Sequence, residues 1–253
     1  MSDTPTPSNN SNRRQFLKTG TAITIGSLAA QFGRTHGAYA AENNTLKVGL
    51  VGCGGRGTGA AAQALNADPN TELVAMADAF PDRLESSLKN LKNQGAGDRV
   101  KVDDDHKFVG FDAYNGVIDS CDVVLLATPP HFRPAQLKAA VDAGKHAFVE
   151  KPVAVDAQGV RSILKTCEEA QTKGLSIVSG LCWRYHHGMQ ATFDQIHDGA
   201  IGDITAMQCS YNTRGLWKHP RKADWSDMEY QLRNWLYYTW LSGDFNTEQH
   251  VHS

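Results

Sequence analysis

Residues 46–57, reading L-K-V-G-L-V-G-C-G-G-R-G, constrain this chain more than any other stretch: an apolar run of strand length breaks into glycines at Gly52, Gly54 and Gly57. In a G-x-G-x-x-G turn between a strand and a helix each glycine has its own task. Gly52 permits the tight turn off the strand, Gly54 lets backbone approach a pyrophosphate, and Gly57 lets the new helix pack closely on the sheet. Phosphate charge then meets free N–H groups at the helix N-terminus, where the helix dipole favours an anion. The turn formed by Gly52, Cys53, Gly54, Gly55, Arg56 and Gly57 is the expected cradle of a dinucleotide. Glycine-rich turns also occur without a ligand, so the neighbouring sequence has to decide.

The neighbouring sequence agrees. Residues 71–78, T-E-L-V-A-M-A-D, read as a second buried strand. It ends in an acid about twenty residues past the last glycine, where such folds grip the adenine ribose. A carboxylate repels a 2′-phosphate, so Asp78 favours NAD over NADP, while Arg83 keeps NADP as the minor option. The competing reading has Asp78 only capping the next helix, with Pro81 in its first turn.

Residues 1–40 carry a different signal. A polar, Pro/Ser/Asn-rich start leads into Arg13-Arg14-Gln15-Phe16-Leu17-Lys18, a mildly apolar stretch over 21–32, and the small-x-small site Ala38-Tyr39-Ala40. This arrangement resembles a twin-arginine export signal. The apolar stretch is too short to span a bilayer and is interrupted by Thr21, Thr24, Gly26 and Ser27, which weakens the membrane-anchor reading. The expectation is a mature chain beginning near Ala41 in the periplasm, with retention of the signal as an anchor the alternative. The twin-arginine route carries proteins already folded, which suits a chain that loads a nucleotide before export.

Charge and cysteine usage exclude two classes. Of 25 Lys+Arg and 27 Asp+Glu, four basic residues (Arg13, Arg14, Lys18, Arg34) and one acid (Asp3) fall in the first forty positions, so the remainder is distinctly acidic. An acidic surface argues against a nucleic-acid partner, and no later apolar run is long enough for a membrane span. Cys53, Cys121, Cys167, Cys182 and Cys209 lie far apart with no C-x-x-C, so no zinc site is expected. Most read as small apolar residues; a Cys182–Cys209 disulfide is the disfavoured alternative.

Beyond Asp78 the pattern alternates. A helix is expected over 81–93, with Leu84, Leu88 and Leu91 on one face, then a short strand over 100–102 and a solvated acidic turn over 103–105. A short helix over 111–118, a buried strand over 122–128 and a helix over 130–143 follow. A strand over 146–149, a helix over 156–173 and a strand over 176–179 complete the series. This order implies an α/β fold with a doubly wound parallel sheet, a Rossmann domain over 41–180. After residue 180 the texture changes: a helix over 187–197, an alternating half-buried strand over 204–211, then Trp217, Trp225, Trp235 and Trp240 among Tyr230, Tyr237 and Tyr238. Packing of a helix onto a sheet, or a subunit contact, is favoured over an aromatic sugar platform.

Two segments carry chemistry. Thr128-Pro129-Pro130-His131 ends a strand at the carboxyl edge of the sheet, where ligands bind in such folds. A second strand runs straight into Glu150-Lys151-Pro152, which would stand Lys151 at the same edge. Lysines of no assigned role are ordinarily solvated, but one between a buried strand and a proline is not typical of that class.

Together these residues resemble the Gfo/Idh/MocA family of glucose-fructose oxidoreductase and inositol dehydrogenase. The likeness rests on Gly52, Gly54, Gly57, Asp78, Thr128-Pro129 with His131, and above all Glu150-Lys151-Pro152, with Trp183-Arg184-Tyr185 matching the segment after the next strand. The resemblance implies that Lys151 orients substrate and nicotinamide. It also implies a later D-x-x-x-H pair supplying a carboxylate and a histidine base. Its nearest match here is Glu248-Gln249-His250-Val251-His252, with glutamate in place of aspartate and His250 where glycine is common. The base lies between His252 and His250, with His252 ahead. The resemblance further implies that residues 181–253 begin an α+β open-sheet substrate domain, broken off in a truncated chain, and that the full-length protein is a homo-oligomer.

Three functions stand at this point. The first is NAD(P)-dependent oxidation of a sugar or polyol, in which histidine removes the hydroxyl proton while hydride leaves for the nicotinamide and Lys151 stabilises the charge that develops. The second is a glycosidase of the same fold that uses NAD transiently, and the third a nucleotide-binding protein without turnover. The histidines have a bland reading too, as groups that only satisfy a loop.

Overall fold

The computed structural model describes residues 45–252, so the export-signal reading of residues 1–40 lies outside it. Six strands form one sheet: β1 (Leu46–Val51), β2 (Thr71–Asp78), β3 (Lys107–Val109), β4 (Val123–Leu126), β5 (His146–Val149) and β6 (Ile177–Ser179). Every pairing is parallel and the order is β3-β2-β1-β4-β5-β6. The helices between them are α1 (Gly55–Ala67), α2 (Pro81–Lys92), α3 (Tyr114–Ser120), α4 (Arg133–Asp142) and α5 (Ala157–Thr172). This is the expected doubly wound sheet, and its strand order reverses between β1 and β4, which opens a crevice at their carboxyl ends.

Strand alternation divides the core in two. Val48, Leu50, Leu73 and Met76 meet Ala60, Ala61 and Leu65 of α1 and Leu84, Leu88 and Leu91 of α2 on one face. On the other, Val51, Ala75, Ala77, Val124 and Leu126 meet Val117 and Ile118 of α3, Leu137 and Val141 of α4 and Ile163 of α5. Burial on both faces explains why these strands read as nearly unbroken apolar runs. Helix starts are marked locally: the Asp156 carboxylate accepts the Gly159 N–H at 2.7 Å to cap α5. The cysteines divide by burial. Cys53 and Cys121 are core residues, and burial pushes the Cys121 thiol up to about 12. Cys182 and Cys209 are exposed and unbonded, so the disulfide alternative is not realised.

Two expected strands are corrected. Residues 100–102 contribute only a single bridge, Val100 to Leu73. The edge strand is instead β3, which pairs with the carboxyl half of β2 through Met76, Ala77 and Asp78. Between them Asp103 caps a short turn by accepting the His106 N–H at 3.0 Å. Buried Val100 and Val102 gave residues 100–102 the look of a strand, but the chain only brushes β2 there before sliding along it. Residues 204–211 form no strand. Their alternation finds no neighbouring strand among the described residues, and Ile204 and Met207 are exposed.

Beyond β6 the described chain carries α6 (His187–His197), α7 (Asp227–Arg233), α8 (Thr239–Ser242) and α9 (Asp244–Glu248). α7, α8 and α9 pack at the carboxyl edge of the sheet, whereas α6 buries none of its residues. Leu241 of α8 is fully buried, Trp240 lies 5.2 Å from the His131 ring, and Arg233 of α7 clasps Asp82 at the start of α2 through both carboxylate oxygens. The carboxyl edge is thereby roofed by the segment that follows the sheet.

Candidate functional site

The glycine turn separates structural need from ligand need. Gly52 has φ +96, and a Cβ there would sit 2.7 Å from backbone atoms of Ala127 and Thr128. A Cβ on Gly57 would lie 1.8 Å from the Gly52 carbonyl oxygen. Gly54 differs: its backbone is ordinary at φ −71 and ψ 180, and a Cβ would meet nothing within 4 Å. The protein itself makes no demand for glycine there, and the free space is what an approaching phosphate would take. No side chain caps α1, which leaves its first-turn N–H groups available to an anion. Gly54→Ala should therefore keep the unfolding midpoint while weakening NADH binding at least about tenfold. Gly57→Ala should lower stability by about 1–3 kcal/mol, because backbone must move. Thermal unfolding and fluorescence titration of both variants check the contrast, and an unfolding midpoint depressed by Gly54→Ala would contradict it.

A cavity of about 450 Å³ extends from this turn, within the usual range for small-molecule sites. Its walls include Gly52, Gly54, Asp78, Thr128 and Pro129. The Asp78 carboxylate accepts the Cys53 N–H at 2.7 Å and the Phe80 N–H at 2.9 Å. It thus links the glycine turn to the end of β2 rather than capping α2, whose N-cap is Phe80. Burial raises its pKa, with both N–H donors and Arg83 opposing. Thr128 donates its hydroxyl proton to Gln136 at 2.6 Å.

A buried ionic cluster lies where β5 ends. Glu150 accepts from Arg56 Nε at 2.5 Å and from its neighbour's backbone N–H, Lys151, at 3.1 Å. Gly180, after β6, is held to glycine by this carboxylate, since a Cβ would come 2.9 Å from Glu150 Oε2. The Lys151–Pro152 peptide is cis. Lys151 Nζ donates to the Glu248 carboxylate at 2.8 Å and to the Glu248 carbonyl, and both side chains are nearly buried, 12% and 9% exposed. Two of three ammonium protons are thus committed and one is free for a ligand oxygen. The other Glu248 oxygen accepts from Gln249 at 2.7 Å.

The two candidate bases separate. His252 stacks against Tyr211 at 5.9 Å and leans on Trp183 at 5.8 Å, its Nδ1 is buried without a hydrogen-bond partner, and it lines a second cavity of about 750 Å³ with Trp183, Arg184 and Asp194. Burial lowers its pKa, reinforced by the Lys151 charge and opposed by Glu248 and Glu150. His252 therefore belongs electrostatically to the lysine cluster. His250 is exposed and meets the edge of Phe245 at 5.3 Å. His131 is also exposed, against Phe132 and Trp240, and Lys151 lies on the wall of neither cavity.

Several residues of this region escaped the sequence reading. Arg133 is 4% exposed. It donates to the Pro152 carbonyl and to the Thr128 carbonyl, so it ties the loop after β4 to the loop after β5. Burial pulls its pKa down to about 10, with Glu150 and Glu248 pulling the other way. Its signal was available: with Gln136, Leu137, Ala140 and Val141 it occupies the buried stripe of α4, where an arginine is out of place unless partnered. Trp217, His219, Arg233 and Trp235 complete the wall of the first cavity, and no local pattern announces this. Of Trp217, Trp225, Trp235 and Trp240, Trp217 and Trp235 line this cavity and pack onto no sheet face.

A parallel sheet that reverses order at an open glycine turn, with an acid ending β2, defines a dinucleotide-binding fold. The chain belongs to the GFO_IDH_MocA oxidoreductase family with an NAD-binding Rossmann fold, whose model matches residues 46–177, just over half of it. It is 31% identical over 161 residues to an inositol 2-dehydrogenase of Rhizobium meliloti, covering 63% of this chain and 43% of that protein. It is 29% identical over 226 residues to a glycosyl hydrolase family 109 protein of Streptomyces coelicolor, covering 81% and 45%. Among solved structures, scyllo-inositol dehydrogenase from Lactobacillus casei with bound NAD(H) and scyllo-inositol superposes with a TM-score of 0.51 at 28% identity, over 64% of this chain and 44% of that one. The chain spans about half the length of the curated relatives it matches.

Proposed function

We propose that this protein is an NAD(P)-dependent oxidoreductase acting on a CH–OH carbon of a sugar or polyol, exported by the twin-arginine route to the periplasm and homo-oligomeric as a whole protein. The observation that carries the reading is Lys151, its ammonium fastened to Glu248 with one proton uncommitted and His252 within its electrostatic reach.

The turn from Gly52 to Gly57, Asp78, Thr128 and Pro129 would hold the dinucleotide, whose nicotinamide, when bound, takes up or returns hydride at C4. Lys151 hydrogen-bonds the substrate hydroxyl oxygen and stabilises the negative charge that grows there. Glu248 holds the ammonium in place through its carboxylate and carbonyl. His252, neutral at pH 7, accepts the hydroxyl proton. Burial lowers its pKa from the ordinary value of about 6.5, so protonation is deferred to more acidic solution. The rate should hold level from neutrality down to about pH 6.5 and fall only below it; an acid limb centred above pH 7 would contradict His252 as the base.

A second reading, an NAD-dependent glycosidase, is favoured by the family 109 relative, which covers more of this chain than the inositol dehydrogenase does. The test is one assay of the whole protein with polyols and aryl glycosides, following NADH absorbance and aglycone release together. NADH accumulation supports the dehydrogenase, aglycone without net NADH supports the glycosidase, and neither signal with NAD bound overturns both.

A further inference from the structure

One side chain joins the glycine turn to the Lys151 cluster. Arg56, the second residue of α1, is half exposed on the wall of the first cavity, and its Nε donates to Glu150 Oε1 across 94 positions of sequence. A guanidinium has five N–H groups; one more reaches Gln63 Oε1 at 3.2 Å, which leaves three uncommitted. Gly54, with open space where a side chain would stand, shares the same wall.

Glu150 faces the other way. Its side chain is 6% exposed, and Arg56 is the one side chain that donates to it among the described residues. Arg133 senses the same charge without bonding to it. The second Glu150 oxygen accepts the Lys151 backbone N–H at 3.1 Å. Gly180 closes on that oxygen so tightly that a Cβ would sit 2.9 Å from it. A buried carboxylate needs its partner, and this one has little room to turn toward another. Its position therefore follows the Arg56 guanidinium.

We propose, on the reading of the first cavity as a dinucleotide site, that Arg56 is a positioning residue coupling occupancy of the glycine turn to the backbone at Lys151. A pyrophosphate at the turn takes the uncommitted N–H groups and fixes the guanidinium. Through Glu150 it thereby fixes the peptide from which the Lys151 ammonium projects. A planar fork of donors can hold a carboxylate on one edge and a phosphate on another, whereas an ammonium is a point charge on a flexible stem. Assembly is then ordered: Lys151 is set for a hydroxyl oxygen once the dinucleotide is in place.

The test uses ADP, which carries adenosine and pyrophosphate but neither nicotinamide nor the second ribose, so it reaches Lys151 only by way of the turn. Amide hydrogen exchange of the whole protein is followed by mass spectrometry, with and without saturating ADP, on peptides spanning 52–57 and 150–155. In the native protein ADP should slow exchange at least about threefold in both segments. In Arg56→Gln, at saturation, it should slow exchange in 52–57 alone. Because that variant leaves Glu150 without its partner, Arg56→Gln combined with Glu150→Gln, which buries no lone charge, is measured beside it and should show the same loss at 150–155. Arg56→Lys, which keeps the charge but not the fork, should recover only part of the response. An Arg56 that merely supports the fold would let 150–155 exchange faster in Arg56→Gln yet keep the slowing caused by ADP. That result, or a native protein whose turn is protected by ADP with no change at 150–155, overturns the proposal. ADP that protects neither segment overturns the dinucleotide reading beneath it.

Discussion

Lys151→Ala should lower turnover at least about 10²–10³-fold while NADH affinity stays within about threefold. The ammonium keeps one proton uncommitted beside the two it gives to Glu248, while Arg56 is paired with Glu150 and Arg133 donates to two backbone carbonyls. Alanine removes the donor aimed at developing negative charge, yet touches none of the turn from Gly52 to Gly57. It also leaves the nearly buried Glu248 carboxylate without its cation, so some stability is lost as well. Lys151→Met, which preserves the packed stem, separates the two effects: turnover should fall as far, with a smaller change in unfolding midpoint. Native kcat in either variant would remove the lysine from the mechanism.

Arg133→Ala should destabilise the fold by about 3–5 kcal/mol, the range for deleting one member of a buried ionic group. The guanidinium is the shared donor for the Thr128 and Pro152 carbonyls and the charge that Glu150 and Glu248 sense. Without it, carbonyls at the ends of β4 and β5 lose their partner and the acids lose a cation. Those loops carry Thr128 and Lys151, so the surviving folded fraction should also bind substrate poorly. Denaturant unfolding checks the magnitude, and a loss below about 1 kcal/mol would show that water replaces the guanidinium without cost.

What the sequence revealed depends on how far each contact reaches along the chain. β1, β2, β4 and β5 were legible because strands buried on both faces are written as apolar runs, and the glycine turn because steric demands at Gly52 and Gly57 leave no other residue. β3 was not, since a three-residue edge strand, K-F-V, has too little pattern to outweigh buried Val100 and Val102 just before it. Residues 204–211 show the converse: alternation describes what a strand would look like, but pairing requires a neighbour. At the site, Gly54, Asp78 and Lys151 were visible as motifs. His252 and His250 differ in burial and in their nearness to Lys151, and no local pattern carries that difference. Arg83 and His219 meet across 136 positions, and no local periodicity encodes such a contact.

In the proposed reaction this cluster moves hydride between a hydroxyl-bearing carbon and nicotinamide. The most direct measurement is a single turnover of the whole, NAD-loaded protein with polyols or sugars deuterated at the hydroxyl-bearing carbons, followed by mass spectrometry of the nucleotide. One deuterium should appear on the nicotinamide with the native protein, and with Lys151→Ala its appearance should slow at least about 10²–10³-fold. Substrate consumed by the native protein with no label entering the nucleotide at any time would contradict it.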